Sequence, residues 1–97
     1  MSVYVSIGNS DDKLSQKEWA RFVAQVDVTL RTGATEMHGR WLSRPDDPFQ
    51  NACWCFEPSS ARVPAMKRIL SGYAKEFRQD SIAWAEAETV FLEAQSE

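Results

Sequence analysis

Trp19-Ala20-Arg21-Phe22-Val23-Ala24-Gln25-Val26-Asp27-Val28-Thr29-Leu30 is the stretch whose reading decides the fold. Trp19, Phe22, Val23, Val26 and Leu30 fall at relative positions 0, 3, 4, 7 and 11, one stripe of a helix that turns every 3.6 residues. The same spacing recurs in Met66, Ile69, Leu70, Tyr73 and Phe77. Two helices with matching apolar stripes need one common surface to cover, and the segments around them read as strands of a sheet.

Working outward, Ser15 precedes the first helix and Glu18 follows three residues later, the pattern of a capping box. Gly33 reads as the left-handed residue just past the helix end. Upstream, Val3, Val5 and Ile7 alternate with Tyr4, Ser6 and Gly8, which predicts a half-buried strand. Gly8-Asn9-Ser10-Asp11-Asp12 ends it with turn-forming residues. Downstream, a second strand is expected from about Thr35 to Ser43. Arg44-Pro45-Asp46-Asp47-Pro48 must then be a turn, because two prolines cannot serve in a central ladder. Asn51-Ala52-Cys53-Trp54-Cys55-Phe56 is almost continuously apolar and predicts a central strand covered on both faces. A second helix is expected from about Ala61 to Arg78, with Pro64 tolerated in its first turn. Ser81 to Glu86 reads as a last strand. Val90-Phe91-Leu92 either extends that strand or packs separately before a frayed tail, within the segment 88–97.

The order β-α-β-β-α-β is the split, ferredoxin-like arrangement: an α+β fold with a four-stranded antiparallel sheet and two helices on one face. Ninety-seven residues suffice for one core of two layers, hence one domain. Right-handed connections give the strand order 4-1-3-2. That topology gathers three polar segments at one end of the sheet. They are Asn9, Ser10, Asp11 and Asp12; Arg44, Asp46, Asp47, Gln50 and Asn51; and Arg78, Gln79, Asp80 and Ser81. This upper end is the first candidate for binding a ligand or partner. Its aspartates raise the question of a divalent cation, but their spacing matches no calcium loop, and solvated turns explain them. Gly8-Asn9-Ser10 offers amides to an anion, yet Asp11 and Asp12 would repel it. No metal and no cofactor is expected.

The second candidate is the sheet face that the helices leave uncovered. Tyr4 and Ser6 belong to it, together with either Trp41 or the His38/Arg40 set, and either Trp54 or the Cys53/Cys55 set. Tyr4, His38, Arg40 and Trp41 are therefore candidate contacts. A net charge of −3 with scattered basic residues, and no RNA-binding aromatic motif, argues against nucleic acid. Burial in a homodimer or against a protein partner is the expectation instead. His38 is the sole histidine, so a Cys-His nucleophile would depend on it and on a low-pKa thiolate at an open site. Cys53 and Cys55 within an apolar strand read as buried thiols of a reducing compartment. Lying roughly 6–7 Å apart on one face, they would form only a strained disulfide. One histidine and two cysteines also leave a zinc site short of a ligand. No catalytic residue is assigned.

No apolar run approaches the roughly 18–20 residues that cross a membrane, and the N-terminus lacks the pattern of a signal peptide, so a cytoplasmic location is expected. The phrases Tyr4-Val5-Ser6-Ile7-Gly8-Asn9-Ser10-Asp11-Asp12-Lys13-Leu14, His38-Gly39-Arg40-Trp41, Gln50-Asn51-Ala52-Cys53-Trp54-Cys55 and Arg78-Gln79-Asp80-Ser81-Ile82-Ala83-Trp84-Ala85-Glu86 resemble small uncharacterised proteins of actinobacteria and their phages. The resemblance implies a setting, a phage, prophage or accessory product of a kind that acts by binding a host component. It brings no activity or site residues with it. The expected protein is a small cytoplasmic, non-catalytic binding protein, inhibitor- or immunity-like and acidic enough to be steered toward a basic partner. The alternative is a small enzyme or sensor that binds a nucleotide, metabolite or divalent cation at the upper end. The amides of Asn9, Gln50, Asn51 and Gln79 keep that alternative open, since a purely solvated end would not need so many.

Overall fold

Ser15 caps helix α1 (Gln16–Gly33) with the reciprocal pair the sequence predicts: its hydroxyl accepts from the Glu18 amide at 3.1 Å, and the Glu18 carboxylate accepts from the Ser15 amide at 3.0 Å. The computed structural model of the chain describes residues 1–9 and 11–95. Candidate site residue Ser10 and the tail residues 96 and 97 lie outside the described residues. Strand β1 (Ser2–Gly8) precedes α1, and β2 (Ala34–Leu42) follows it without a loop. Strand β3 (Asn51–Pro58) comes next. A 3₁₀ turn at Ser60–Arg62 then leads into α2 (Val63–Glu76), and β4 (Ala83–Ala87) completes the sheet.

The four strands form one antiparallel sheet in the order β2-β3-β1-β4, the predicted order seen from the other edge. This is the ferredoxin-like α+β arrangement. Both helices lie on one face. Val3, Val5, Trp54 and Phe56 from the sheet meet Phe22, Val26, Leu30 and Phe77 from the helical side, and all are fully buried. Phe22 and Phe77 stack with centroids 4.6 Å apart, and Trp84 meets Phe56 edge-on at 6.0 Å. These ring pairs lock the two helices and the outer strand to one core. Pro64 falls in the first turn of α2, where its missing N–H leaves no bond unmade.

Several expectations change. Gly33 is not a left-handed cap: it is the last helical residue and has no positive φ. Its missing Cβ instead leaves room for Met66, whose Sδ would overlap any added side chain. The second stripe holds except at Ile69, which is exposed, while Ala74 is buried. α2 also stops earlier than expected. Arg78, at φ 56°, closes a Schellman turn in which Gln79 N–H reaches Ala74 C=O at 2.8 Å and Arg78 N–H reaches Lys75 C=O at 3.2 Å. Strand β3 is central but not covered on both faces. Ala52, Trp54 and Phe56 face the helices, whereas Cys53 and Cys55 are half-buried free thiols on the open face. Val90-Phe91-Leu92 does not extend β4, and these side chains are 77%, 85% and 92% exposed.

Candidate functional site

The upper end gathers its three segments as the topology predicts, but most of the named side chains hold one another. Asn9 is buried. Its amide donates to Leu14 C=O at 3.1 Å and to Gln50 Oε1 at 3.0 Å, and its own Oδ1 accepts from Leu14 N–H at 3.0 Å. Gln50 in turn exchanges bonds with Gln16. Arg78 donates to Lys13 C=O at 2.9 Å and to Glu18 at 3.1 Å. The Ser15 amide first, and the Arg78 guanidinium second, keep the Glu18 carboxyl below its ordinary pKa. Arg44, Asp46 and Asp47 close a turn on themselves, with Asp47 accepting from the Arg44 amide at 2.8 Å. Asn51 bonds to Phe49 and Ser43, and Gln79 to Phe77 C=O. Burial raises the Asp11 carboxyl, but the Lys13 amide and ammonium outweigh it and set it low. Asp12 is exposed, with φ 56°.

These residues do not converge on one concavity. Arg44, Gln50 and Asn51 border a cleft of about 500 Å³ beside α1, and Asp80 borders another of about 360 Å³ between α2 and β4. Among the described residues, no group of three or more His, Cys, Asp and Glu side chains stands close enough to share a metal ion.

The open sheet face is built differently. Strand pairing sets Trp41, Cys53, Ser6 and Ala83 in one row, and Gly39, Cys55, Tyr4 and Ala85 in the next. Trp41, His38 and Glu36 stand along β2, only methyl groups stand over β4, and the tail residues Glu88 and Phe91 rise on the far side, so the face is a trough. A bulge between Met37 and Gly39 leaves His38 unpaired and lets both His38 and Trp41 point outward. Arg40, expected on this face with His38, lies opposite Trp54 on the helical side and pairs with Asp27 at 3.4 Å. Burial pushes the Asp27 carboxyl up. The Trp54 indole, 2.9 Å away, and the Arg31 and Arg40 guanidinium groups outweigh that and hold it below its ordinary value.

At the lower end of the trough lies a cleft of about 810 Å³. Tyr4 and Cys55 form its floor, Glu36 and His38 one flank, and Glu88, Thr89 and Phe91 of the tail the other. Glu57 is the hub: it accepts from Ser2 Oγ at 2.7 Å, lies 2.9 Å from His38 Nε2 and pairs with the N-terminal ammonium at 3.2 Å. Ser2 first, then His38 and the N-terminus, hold the Glu57 carboxyl below its ordinary value. An ionised carboxylate only accepts, so His38 Nε2 carries the proton of that contact and Nδ1 faces Glu36 Oε1 at 4.0 Å. Cys55, the neighbour of Tyr4 across the strands, raises the pKa of the Tyr4 hydroxyl. Ser2 Oγ also meets Thr89 Oγ1 at 2.8 Å, fixing the tail against the open face.

Tyr4 and His38 are the sequence candidates that belong to this cleft. Ser2, Glu36, Glu57, Glu88 and Phe91 were missed. Glu57 ends an otherwise apolar strand, which was the available signal; the tail's position depends on one tertiary hydrogen bond. The fold and site thus define a ferredoxin-like domain with an open, acid-flanked aromatic trough. No protein-family model matches the chain, and no curated protein is similar to it.

Proposed function

We propose that this is a binding protein whose open sheet face takes a basic segment of a protein partner. The observation that carries the reading is the make-up of the lower cleft. Tyr4 and Phe91 offer ring faces, and Glu36, Glu57 and Glu88 face one ammonium and one histidine. Rings beside carboxylates suit a lysine or arginine side chain, which gains both cation–π and charge-assisted contacts. Trp41 and Tyr4, 57% and 43% exposed, continue the trough and give a partner apolar area to cover. The exposed Asp11, Asp12, Asp46, Asp47 and Asp80 at the upper end act at longer range, steering a basic partner toward the molecule. An inhibitor- or immunity-type protein is the concrete form of this activity.

The test is titration of fluorescent arginine- and lysine-rich peptides. Binding should weaken with salt, fall with Tyr4→Ala, Glu36→Gln and Glu88→Gln, and slow alkylation of Cys55. Peptide binding that ignores all three substitutions refutes the reading, and so does no binding at low salt.

A further inference from the structure

Charge is segregated between the two layers. Seven of the eleven basic residues, but only three of the fourteen acidic ones, lie in the helical segments Gln16–Gly33 and Ser60–Glu76. The helical layer therefore carries +4, and the remainder of the chain −7, which together give the net −3. The outer surface of that basic layer has an apolar groove of about 340 Å³ between α1 and α2. Val28, Ala65, Met66 and Ile69 line it, with Arg62 at its side. Val28 is 64% and Ile69 45% exposed, so no described residue of the chain covers the groove.

The acidic part of the chain ends in a segment of the opposite character. Glu88-Thr89-Val90-Phe91-Leu92-Glu93 is an apolar triplet between carboxylates. Its three apolar side chains are among the most exposed in the molecule. The tail cannot serve its own groove while Thr89 is bonded to Ser2, because that bond holds it on the opposite face of the sheet. There Phe91 borders the cleft, while Val90 and Leu92 are 77% and 92% exposed.

We infer that the groove between α1 and α2 is the docking site for the Val90-Phe91-Leu92 segment of a second copy of this chain. The inference rests on the proposed function and names its partner, since docking would bring the basic helical layer of one molecule to the acidic cleft of the next. Apolar triplet meets apolar groove, and the flanking Glu88 and Glu93 meet a layer of +4 charge. The contact sets one molecule's tail on another's helices; reciprocated, it closes a two-fold pair, and unreciprocated it leaves a free tail and a free groove for the next copy.

Sedimentation of the full chain with two exposed-site variants tests this. Wild-type protein should rise above 11.0 kDa with concentration and return toward it with salt. Phe91→Asp, which removes the plug, and Ile69→Glu, which spoils the groove, should each stay monomeric with unchanged melting. Mixed, they retain one intact tail and one intact groove. They should therefore form a one-to-one complex and nothing larger. A wild type that stays monomeric, an Ile69→Glu protein that still associates, or a mixture that fails to assemble overturns the inference. So does a fall in melting temperature in both variants with no change of mass, which would place the tail on its own groove. Ile69→Glu leaves the cleft intact, so its binding of the arginine- and lysine-rich peptides reports separately on the proposed function. Peptide binding without self-association sinks the second copy alone, whereas loss of peptide binding in wild type sinks the cleft reading.

Discussion

Gly33→Ala and Gly72→Ala make the same chemical change in the two helices and should have opposite effects. Neither glycine has a positive φ, so an alanine adds no backbone strain at either place. At Gly72 an added Cβ meets nothing within 4 Å. The substitution there should act through the helix alone and stabilise by about 0.5–1 kcal/mol. At Gly33 the new Cβ would overlap Met66 Sδ and stand 2.8 Å from Cγ and 3.0 Å from Cε. Met66 is only 3% exposed, so its side chain must rearrange inside the packed layer rather than swing into water. Overpacking of this kind costs about 1–3 kcal/mol. Set against the helical gain of about 0.5–1 kcal/mol, the net runs from about zero to a loss of about 2.5 kcal/mol. In a domain of this size 1 kcal/mol moves the midpoint by about 4–8 °C, so circular dichroism melts should separate the variants clearly. Met66→Ala should remove the penalty, making Gly33→Ala neutral or stabilising in that background and giving a coupling of about 1–3 kcal/mol. If Gly33→Ala raises the melting point as Gly72→Ala does, the contact between α1 and Met66 is not as described.

Three further outcomes follow from buried or strained polar groups. Asp27→Ala should cost about 1–3 kcal/mol in urea unfolding, because it leaves the buried Trp54 indole N–H without its acceptor, and Asp27→Asn should cost less. Equal losses would show that the acceptor is not what matters. Glu57, Asp27 and Glu18 all have lowered carboxyl pKa values in the folded state. Their stabilisation is thus complete above the ordinary carboxylate pKa of about 4 and is lost as pH falls through the lower folded values. The melting point should be flat in mild acid and drop below about pH 4, less steeply in Glu57→Gln; a midpoint that rises on acidification contradicts the assignment. Arg78 combines a left-handed backbone with bonds to Lys13 and Glu18. Arg78→Ala loses the bonds and keeps the strain, so Arg78→Gly should be more stable than Arg78→Ala by about 1 kcal/mol. Equal stability in denaturant would remove strain from the account.

The fold was legible because its strongest signals are periodic. The stripes beginning at Trp19 and Met66, the alternation of Val3, Val5 and Ile7, and the proline turn each depend only on near neighbours in sequence. What failed depended on a partner. Gly33 looked like a terminator because glycine usually is one there, yet its role is set by Met66, thirty-three residues away. Strict alternation made His38 and Arg40 companions on one face with Trp41 on the other. One extra residue in β2 reverses that parity, and no pattern within the strand announces it. The upper end was located correctly as a meeting of segments. Its amides, however, proved to be bonded within the loops: Asn9 stitches β1 to Gln50 and to the start of α1. Amide-rich loops mark a ligand only when their amides are free, and sequence does not tell the two cases apart.

Charge offers the last step, because the fold does not require the segregation found here. A helical layer buries its stripe equally well with acidic or basic outer faces, and mixing the signs would relieve repulsion within each layer. The contacts inside the molecule do not account for it either. Arg21–Glu76 and Lys67–Glu86 are largely exposed pairs of the kind that contribute little. Lys67–Glu86, Arg40–Asp27 and Arg78–Glu18 join the helical layer to the rest of the chain, and the last two place the basic partner outside that layer, opposite to the segregation. A field running from a layer of +4 to a remainder of −7 acts mainly beyond the molecule, on whatever approaches it. It favours a basic surface at the open trough and an acidic segment at the helices. This chain carries both of those itself, in α2 and in the tail after β4. For the second copy inferred above, the same field would select orientation as well: helices toward tails rather than sheet toward sheet, where two acidic troughs would face each other.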